Sequence, residues 1–265
     1  MIETGTQRLL GEKDGPIGWM IFNHPERRNA LSIDMWQGIP KVLEVFEADP
    51  EVRVVVFKGA GDKAFISGAD ISQFGEHRDS KQANDAYNAH IASATRAMTG
   101  LTKPSIAMIG GFCIGGGLAV ALTCDLRICS DDSRFGIPAA RLGLGYGFDG
   151  LKVLADLVGP SYAKEILFTA RHFDAAEALR IGLVNKVTTR EELEPTVWHY
   201  AEMIGQNAPL TVKAAKLAVR EATKDPDRRK LDDVAAAVDA CFQSADYAEG
   251  RKAFMEKRKP VFRGV

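Results

Sequence analysis

Short continuous runs of apolar residues alternate with amphipathic stretches from Ile17 to about Val187. Four of the continuous runs have the length and composition of buried strands: GWMIF, VRVVVF, SIAMI and DLRICS. The stretches MWQGIPKVLEVFEA and AYNAHIASATRAM between them carry apolar residues at helical spacing. Strands that alternate with helices are typical of βαβ units, so the pattern predicts an α/β fold with a mostly parallel sheet.

The pattern changes after Glu194, where strand-like runs stop. Four stretches with helical spacing follow: VWHYAEMIGQ, LTVKAAKLAVREA, KLDDVAAAVDACF and ADYAEGRKAFMEKR. We therefore expect a core over residues 1–194 and a helical C-terminal region over residues 195–265. Apolar helix faces need a surface to cover, which is either the core of the same chain or a neighbouring subunit.

Two residue pairs predict the starts of helices late in the α/β part of the chain. Asp174 with Glu177, and Thr189 with Glu192, fit capping boxes, in which the first side chain accepts a hydrogen bond from the backbone of the helix. Gly182 is placed to end the first of these helices.

Composition sets the class of protein and excludes several functions. The chain has 265 residues, of which 46% are apolar and 26% charged, enough for a full core and a soluble surface. The formal net charge of −1 gives no support to nucleic-acid or membrane-surface binding. The N-terminal stretch MIETGTQRLLGEKDG lacks the pattern of a signal peptide, and the longest apolar stretch is rich in glycine. We therefore expect a cytoplasmic protein without a membrane span.

The cysteines and histidines do not define a site. Cys113, Cys124, Cys129 and Cys241 have neither CxxC pairing nor metal-ligand spacing, so we expect reduced, buried thiols. The histidines are scattered, and we expect no metal. His90 lies on a predicted helix that can reach the edge of a site, although a surface or hydrogen-bonded helix histidine is the simpler interpretation.

The segment GGFCIGGGLAVALTCDL, from Gly110 to Leu126, predicts a binding turn. It follows the apolar run KPSIAMI, and three consecutive glycines then open a run of small residues with helical character. Glycine lets the backbone approach a ligand closely, and the start of a helix presents unpaired N–H groups, so the turn can hold an oxyanion. A tight packing turn without a ligand is the alternative interpretation.

A second segment offers a matching feature. AFISGADI, from Ala64 to Ile71, follows the strand-like run VRVVVFKG and also passes from a strand into small residues and a glycine. This segment is therefore a candidate for a second backbone N–H donor.

Six segments, taken in order, resemble the crotonase family, also called the enoyl-CoA hydratase/isomerase superfamily. The resemblance covers nearly the whole chain, and the ordered set is highly specific. The two binding segments and four others carry it: NHPERRNALS, CDLRICSDDSRFGIP, FDAAEALRIGLVNKV and AFMEKRKPVF.

The resemblance implies a fold and an assembly. It implies a spiral of repeated ββα turns over residues 1–194, followed by a helical region, residues 195–265, that builds a homotrimer or a dimer of trimers. It also implies an acyl-CoA thioester as substrate, with no cofactor beyond the CoA moiety of that substrate.

Matching the motifs residue by residue implies an oxyanion hole made by the backbone N–H groups of Ala69, in SGADI, and Gly116, in IGGGL. Fixed donors in a dry pocket stabilise the negative charge of a thioester enolate. The side chains at both positions must be small so that the backbone can reach the ligand.

The resemblance also implies contacts with CoA. Arg28 and Ala30 lie in the first loop, and Ala69, Asp70 and Ile71 are expected to line the path of the adenine and pantetheine. Two residues of the tail, Phe254 and Lys257, match positions that flank the nucleotide, either in the same chain or from a neighbouring subunit. For the basic residues, ordinary solvated charge is the alternative interpretation.

The chain departs from the family pattern where the hydratases have two catalytic glutamates. These carboxylates position water and move a proton; the matching positions here are Ala119 and Ala139. Because alanine can neither activate water nor donate a proton, the usual hydration of an enoyl-CoA lacks its acid and base.

The segment ARLGLGYGFDG supplies the remaining candidates, Tyr146 and Asp149. With the sequence that follows, it is more similar to the methylmalonyl-CoA decarboxylase branch, in which a tyrosine at the position of Tyr146 lies in the site. That decarboxylase has histidine where this chain has Ala69. Tyr146 can instead be a packing or loop residue, and Asp149 a turn or helix-cap residue.

Three functions follow from these residues. The first is an acyl-CoA lyase or decarboxylase that works through a stabilised thioester enolate. The second is a genuine hydratase or isomerase that uses Asp149 or Tyr146 in place of the glutamates, and the third is a non-catalytic acyl-CoA binder. The acyl group cannot be inferred from the sequence, because residues from several loops, including Ile66 to Arg96, would line its pocket.

Overall fold

The computed structural model describes residues 2–70 and 81–265, without the side chains of Lys81, Ala83, Asn84 and Asp149. The strands are β1 (Leu9–Asp14), β2 (Ile17–Phe22), β3 (Val54–Gly59), β4 (Ala64–Ile66), β5 (Ser105–Ile109), β6 (Phe112–Ile114), β7 (Leu126–Ser130), β8 (Arg134–Gly136), β9 (Phe173–Asp174) and β10 (Lys186–Thr188). The helices are α1 (Ile33–Ala48), α2 (Lys81–Gly100), α3 (Gly116–Thr123), α4 (Phe148–Thr169), α5 (Ala175–Arg180), α6 (Arg190–Gly205), α7 (Pro209–Ala222), α8 (Leu231–Gln243) and α9 (Ala245–Met255). Short 3₁₀ turns lie at Pro25–Arg27, Pro138–Leu142 and Pro226–Arg228.

The strands form two sheets. The larger sheet has the order β1-β2-β3-β5-β7-β10, and its strands are parallel except for the antiparallel pair β1 and β2. The smaller sheet has the order β4-β6-β8-β9, with β8 and β9 antiparallel. The mostly parallel sheet that the apolar runs predict is therefore confirmed.

A ββα unit repeats along the chain. In each unit a strand of the larger sheet is followed by a strand of the smaller sheet and then by a helix: β3-β4-α2, β5-β6-α3 and β7-β8-α4. This arrangement confirms the α/β spiral core with helices at its C-terminal end. It also brings the ends of β4 and β6, which pair in parallel, to one edge of the smaller sheet.

Two groups of apolar side chains stabilise the spiral. The larger group packs residues of α1, including the fully buried Phe46, with residues of both sheets. The second group lies on the other face of the larger sheet, where Leu193, Val197 and Ala201 of α6 cover it. Because α6 spans Arg190–Gly205, the predicted boundary after residue 194 falls inside a helix that packs on the core; the division into two parts stays a prediction.

Local sequence signals start two of the helices as expected. The side chain of Asp174 accepts a hydrogen bond from the backbone N–H of Glu177, and that of Thr189 accepts one from Glu192. Gly182 follows α5 with φ of 77°, a conformation that favours glycine.

The thiols are mostly buried, as expected. Cys113, Cys124 and Cys129 are buried and unbridged, whereas Cys241 is half-buried. Burial raises the pKa of Cys124 and Cys129 to about 12, so both thiols are protonated at neutral pH.

The C-terminal helices present apolar side chains to their surroundings. A groove of about 820 Å³ runs between α7, α8 and α9, and the exposed Phe242 and Phe254 line it. Over the described ranges, every helix is too short or too polar to cross a membrane.

Candidate active site

The three glycines of the first predicted segment form the turn between β6 and α3. Gly115 has φ of 54° and ψ of −113°, a conformation that residues with a side chain rarely adopt. Its own N–H donates to the carbonyl of Gly136 at 2.8 Å, which ties the turn to β8. Gly116 is the first residue of α3. At the start of a helix the backbone N–H groups have no partner within the helix.

The second segment is held in an extended conformation by the loop before α1. The N–H of Leu31 donates to Gly68 at 2.8 Å, and the N–H of Asp70 donates to Leu31 at 2.9 Å. This is the pattern of a parallel bridge between Leu31 and Ala69. In such a bridge the middle residue directs its own N–H away from its partner strand, so the N–H of Ala69 points away from the backbone of Leu31.

The fold brings these two segments together. A Cβ placed on Gly116 would lie 3.7 Å from the amide nitrogen of Ala69 and 3.3 Å from Cδ1 of Leu31. Within residues 2–70 and 81–265, neither the amide of Ala69 nor that of Gly116 has a hydrogen-bond acceptor. Two unpaired amide donors on adjacent loops are what the binding of an oxyanion requires.

A cavity of about 560 Å³ adjoins the glycine turn. Gly115, Ala119 and Tyr146 line it, and Ala119 is exposed to it although it lies on a helix with a mostly buried surface. The hydroxyl of Tyr146 lies 4.0 Å from the position that a Cβ on Gly115 would take. Burial raises the pKa of Tyr146 above its ordinary value of 10.0, so the phenol stays a proton donor at neutral and moderately alkaline pH.

The other predicted residues of this segment lie close by in the chain. Asp149 is the second residue of α4, and its side chain lies outside the described part of the molecule. Ala139, the second position at which the resemblance expects a glutamate, is buried in the 3₁₀ turn Pro138–Leu142.

Two lining residues were not singled out by the sequence analysis. Trp36 of α1 is buried in the wall of the cavity, and its indole Nε1 has no hydrogen-bond partner among the described residues. Arg96 of α2 lines the same cavity. Each lies in an amphipathic stretch, and helical spacing by itself does not distinguish a cavity wall from a core or a surface.

The residues expected to contact CoA divide into two sets. Arg28 and Ala30 lie in the loop that holds Ala69, since the N–H of Ser67 donates to the carbonyl of Arg28 at 3.1 Å. The guanidinium of Arg28 lies 5.3 Å from the centre of the Phe112 ring and borders two clefts of about 290 and 250 Å³, both of which Lys63 also lines. Asp70 is buried beside Ala69, and Ile71 lies outside the described residues.

The second set lies on the C-terminal helices. Phe254, near the end of α9, is 82% exposed and lines the C-terminal groove rather than the cavity beside Gly115. Lys257 follows α9 with φ of 54° and is exposed. The structure therefore brings together Ala69, Gly116 and Tyr146, with Arg28 and Ala30 next to them, and places Phe254 and Lys257 on another part of the fold.

His90 lies on α2 and is half-buried, with its Nε2 3.3 Å from Nε2 of Gln37. This contact is in accord with a hydrogen-bonded helix histidine, which is the simpler of the two interpretations.

The ββα spiral, together with two neighbouring amide donors beside a cavity of about 560 Å³, is typical of an acyl-CoA enzyme of the crotonase type. Residues 12–265 match the model of the enoyl-CoA hydratase/isomerase family. The chain is 39% identical to a short-chain-enoyl-CoA hydratase of Clostridium acetobutylicum, over 95% of both chains. It is 37% identical to a crotonyl-CoA hydratase of Syntrophomonas wolfei, over 97% of this chain and 98% of the relative.

A solved structure extends this similarity to the fold. The crystal structure of an enoyl-CoA hydratase/carnithine racemase from Magnetospirillum magneticum superimposes with a TM-score of 0.91 at 33% identity. The match covers 98% of this chain and 97% of the other. This chain belongs to the enoyl-CoA hydratase/isomerase family and is an acyl-CoA enzyme of that family.

Proposed function

We propose that this protein stabilises a thioester enolate and performs carbon–carbon or carbon–carboxyl lyase chemistry rather than efficient hydration. One observation carries the proposal. The cavity beside Gly116 exposes Ala119 where the family resemblance expects a glutamate, and none of the described residues that line it has a carboxylate. Donors for an oxyanion are therefore present without a described acid–base pair.

Decarboxylation of a 2-carboxyacyl-CoA fits this set of groups. The bond between C2 and the carboxyl carbon breaks, CO₂ leaves, and the electron pair moves into the thioester to form an enolate. The amides of Ala69 and Gly116 stabilise the enolate oxygen, an effect worth about 3 kcal/mol for one such donor. A proton must then reach C2, and we assign its delivery to the hydroxyl of Tyr146, with Asp149 as the other candidate.

The nucleotide part of the substrate is assigned to the loop beside Ala69. Arg28 and Lys63 border the clefts there and provide positive charge for phosphates. We keep Ala30, Asp70 and Ile71 as the backbone and side-chain neighbours of the CoA chain.

Phe254 and Lys257 are proposed to complete the CoA site from a neighbouring subunit. They lie on the C-terminal helices, where exposed apolar side chains offer a surface for a homotrimer. We further propose a cytoplasmic location, and no cofactor other than the CoA moiety.

A thioester library analysed by mass spectrometry tests the reaction. Loss of CO₂ from a 2-carboxyacyl-CoA, with little gain of water by crotonyl-CoA, is the expected result. Turnover of crotonyl-CoA at roughly 10² s⁻¹ or more, as for an efficient enzyme, would contradict the proposal. Binding of thioesters without any turnover would identify a non-catalytic acyl-CoA binder instead.

A second candidate is a genuine hydratase or isomerase that uses Asp149 or Tyr146, and the hydratases among the relatives favour it. The variant Asp149→Asn distinguishes the two functions. Decarboxylation needs no general base and, with Tyr146 as the proton donor, should survive this change better than hydration through Asp149, which should fall by about 10²-fold or more. The experiment compares both reactions in the same protein preparation.

A further inference from the structure

The cavity beside the glycine turn extends along the whole of α3. Its lining includes Gly115 at the start of the helix and Thr123 at its end. At 1.5 Å per residue, these two ends are about 12 Å apart along the helix axis. Side chains such as Ile91, Val120 and Leu151 make most of the wall apolar, as in a pocket for an acyl chain.

Arg96 interrupts this apolar lining. It is the only charged residue among the described residues that line the cavity. Its side chain is exposed, and its guanidinium has no ion pair or hydrogen bond in the described part of the chain.

A contact between α2 and α3 locates the backbone of Arg96. Two residues further along α2, Sδ of Met98 lies 3.5 Å from Oγ1 of Thr123. This contact places the turn of α2 that carries Arg96 beside the C-terminal end of α3, away from Gly115. The backbone of Arg96 therefore lies nearer to the Thr123 end of the cavity than to Gly115.

Two of the nearby hydroxyl groups are already used. Oγ1 of Thr123 donates to the carbonyl of Val120 at 2.7 Å, and Oγ1 of Thr99 donates to that of Thr95 at 2.8 Å. Each hydroxyl donates to a backbone carbonyl of its own helix, so neither has a proton left to donate to a ligand. The hydroxyl of Thr95 has no hydrogen bond within the described residues, but among the described residues that line the cavity only Arg96 offers charged donors.

We propose that the cavity accepts an acyl chain that ends in a carboxylate and that Arg96 selects this group. The guanidinium matches a carboxylate in shape and charge and can donate two parallel hydrogen bonds to it. A methyl end would make no such bonds. This inference rests on the proposed acyl-CoA function and names its class of substrate, a thioester with a second, distal carboxylate.

The distal carboxylate is not the group lost in a decarboxylation. An arginine beside a carboxylate stabilises its negative charge, which opposes the loss of that charge to CO₂. The amides of Ala69 and Gly116 act at the other end of the cavity, so recognition by Arg96 and chemistry at the thioester are separate.

Calorimetric titration of pairs of thioesters equal in length tests the proposal. The pairs are glutaryl-CoA with pentanoyl-CoA and adipoyl-CoA with hexanoyl-CoA, and free CoA is the reference. In the unmodified protein the carboxylated member of at least one pair should bind about tenfold more tightly. In Arg96→Met this preference should disappear, with the affinity for free CoA unchanged.

Two further variants complete the experiment. Arg96→Lys keeps the charge but loses the paired geometry, so it should restore part of the preference. Arg228→Met removes an exposed arginine that does not line the cavity, and it should behave like the unmodified protein.

Two outcomes would overturn the inference about Arg96, and a third would refute the proposed function. The three outcomes can be distinguished. Equal affinity within both pairs in the unmodified protein would overturn the inference. An equal loss of affinity for free CoA and for all four thioesters in Arg96→Met would also overturn it, because Arg96 would then bind the CoA moiety. Failure of every CoA compound to bind would refute the proposed function itself.

Discussion

The backbone of Gly117 packs directly against the carbonyl group of Ile66. A methyl group on Gly117 would overlap the carbonyl oxygen of Ile66 and lie 2.8 Å from its Cβ. This close approach joins the first turn of α3 to the end of β4. Gly117 is the residue after Gly116, and Ile66 lies three residues before Ala69. The distance between the two unpaired amides therefore depends on the absence of a side chain at Gly117.

The variant Gly117→Ala should separate the two loops. Because backbone rather than a flexible side chain occupies the space, we expect a loss of about 1–3 kcal/mol in the free energy of unfolding. Turnover should fall by about 10²-fold or more, since the amides would no longer face the same oxygen. Urea unfolding and steady-state kinetics measure the two effects.

Gly100→Ala is the matched control, because no atom of the described residues lies within 4 Å of its Cβ position at the end of α2. It should leave both quantities nearly unchanged. A stable and fully active Gly117→Ala protein would contradict the role given to this contact.

Restoring carboxylates should restore hydration. Ala119 is exposed to the cavity, and Ala139 is buried in the 3₁₀ turn Pro138–Leu142. The double variant Ala119→Glu with Ala139→Glu should raise the hydration of crotonyl-CoA by about 10²-fold, which is typical of general acid–base catalysis. The measurement is the absorbance of the enoyl thioester over time.

Ala140 is exposed beside Ala139, so Ala119→Glu with Ala140→Glu adds the same two charges with one of them misplaced. This control should not gain hydratase activity. If the first pair folds, as judged by thermal melting, and hydrates no faster than the control, the interpretation of both alanines is wrong.

Tyr146 should act as a neutral proton donor over a wide pH range. Burial raises the pKa of its phenol above 10.0, so the hydroxyl keeps its proton as the pH rises toward that value. Turnover should therefore not decline through Tyr146 in moderately alkaline solution. Tyr146→Phe should lower kcat by about 10²-fold with little change in KM.

Tyr247→Phe is the matched control, since Tyr247 packs edge-on against Phe242 in the C-terminal helices. It should retain full activity. The pH–rate profiles of the three proteins decide the matter: a Tyr146→Phe profile that coincides with that of the unmodified protein would exclude proton donation by Tyr146.

The ion pair of Glu249 with Arg258 should make the fold sensitive to acid. The two guanidinium nitrogens Nη1 and Nη2 of Arg258 donate to the carboxylate at 2.6 and 2.8 Å, and the N–H of Val261 donates at 2.9 Å. These bonds lower the pKa of Glu249 from 4.5 to about 2. The stabilisation is thus complete above pH 4.5 and is lost as the pH falls toward 2.

Glu249→Gln should therefore be less stable than the unmodified protein at neutral pH, with the difference shrinking in acid. Urea unfolding at a series of pH values gives the comparison. Glu12→Gln removes an exposed carboxylate of β1 and serves as the control. A constant difference between Glu249→Gln and the unmodified protein across the acid range would contradict the assigned pKa.

The sequence predicted the larger sheet better than the smaller one. Runs such as VRVVVF and SIAMI are long enough to show a buried strand, and both became strands of the larger sheet. The strands β4, β6 and β8 have three residues each, too few for any apolar period to appear. Their existence depends on pairing with one another, which is a property of the folded chain.

The residues of the candidate site also fall into two groups, those that the sequence pointed to and those that only the structure showed. The glycine triplet and the segment around Ala69 were visible because small residues at strand ends are a local signal. Arg96 and Trp36 gave no such signal, since each sits in an ordinary amphipathic helix. Only the packing of α1, α2 and α3 makes them walls of one cavity.

The sequence by itself determined the α/β class, the helix caps at Asp174 and Thr189 and the two small-residue segments, because each depends on neighbours along the chain. The tertiary structure decided which atoms meet: the amide of Ala69 beside Gly116, and the hydroxyl of Tyr146 beside Gly115. These contacts join residues from separate turns of the spiral. Their distances follow from how the two sheets pack, and no local pattern of residues encodes them.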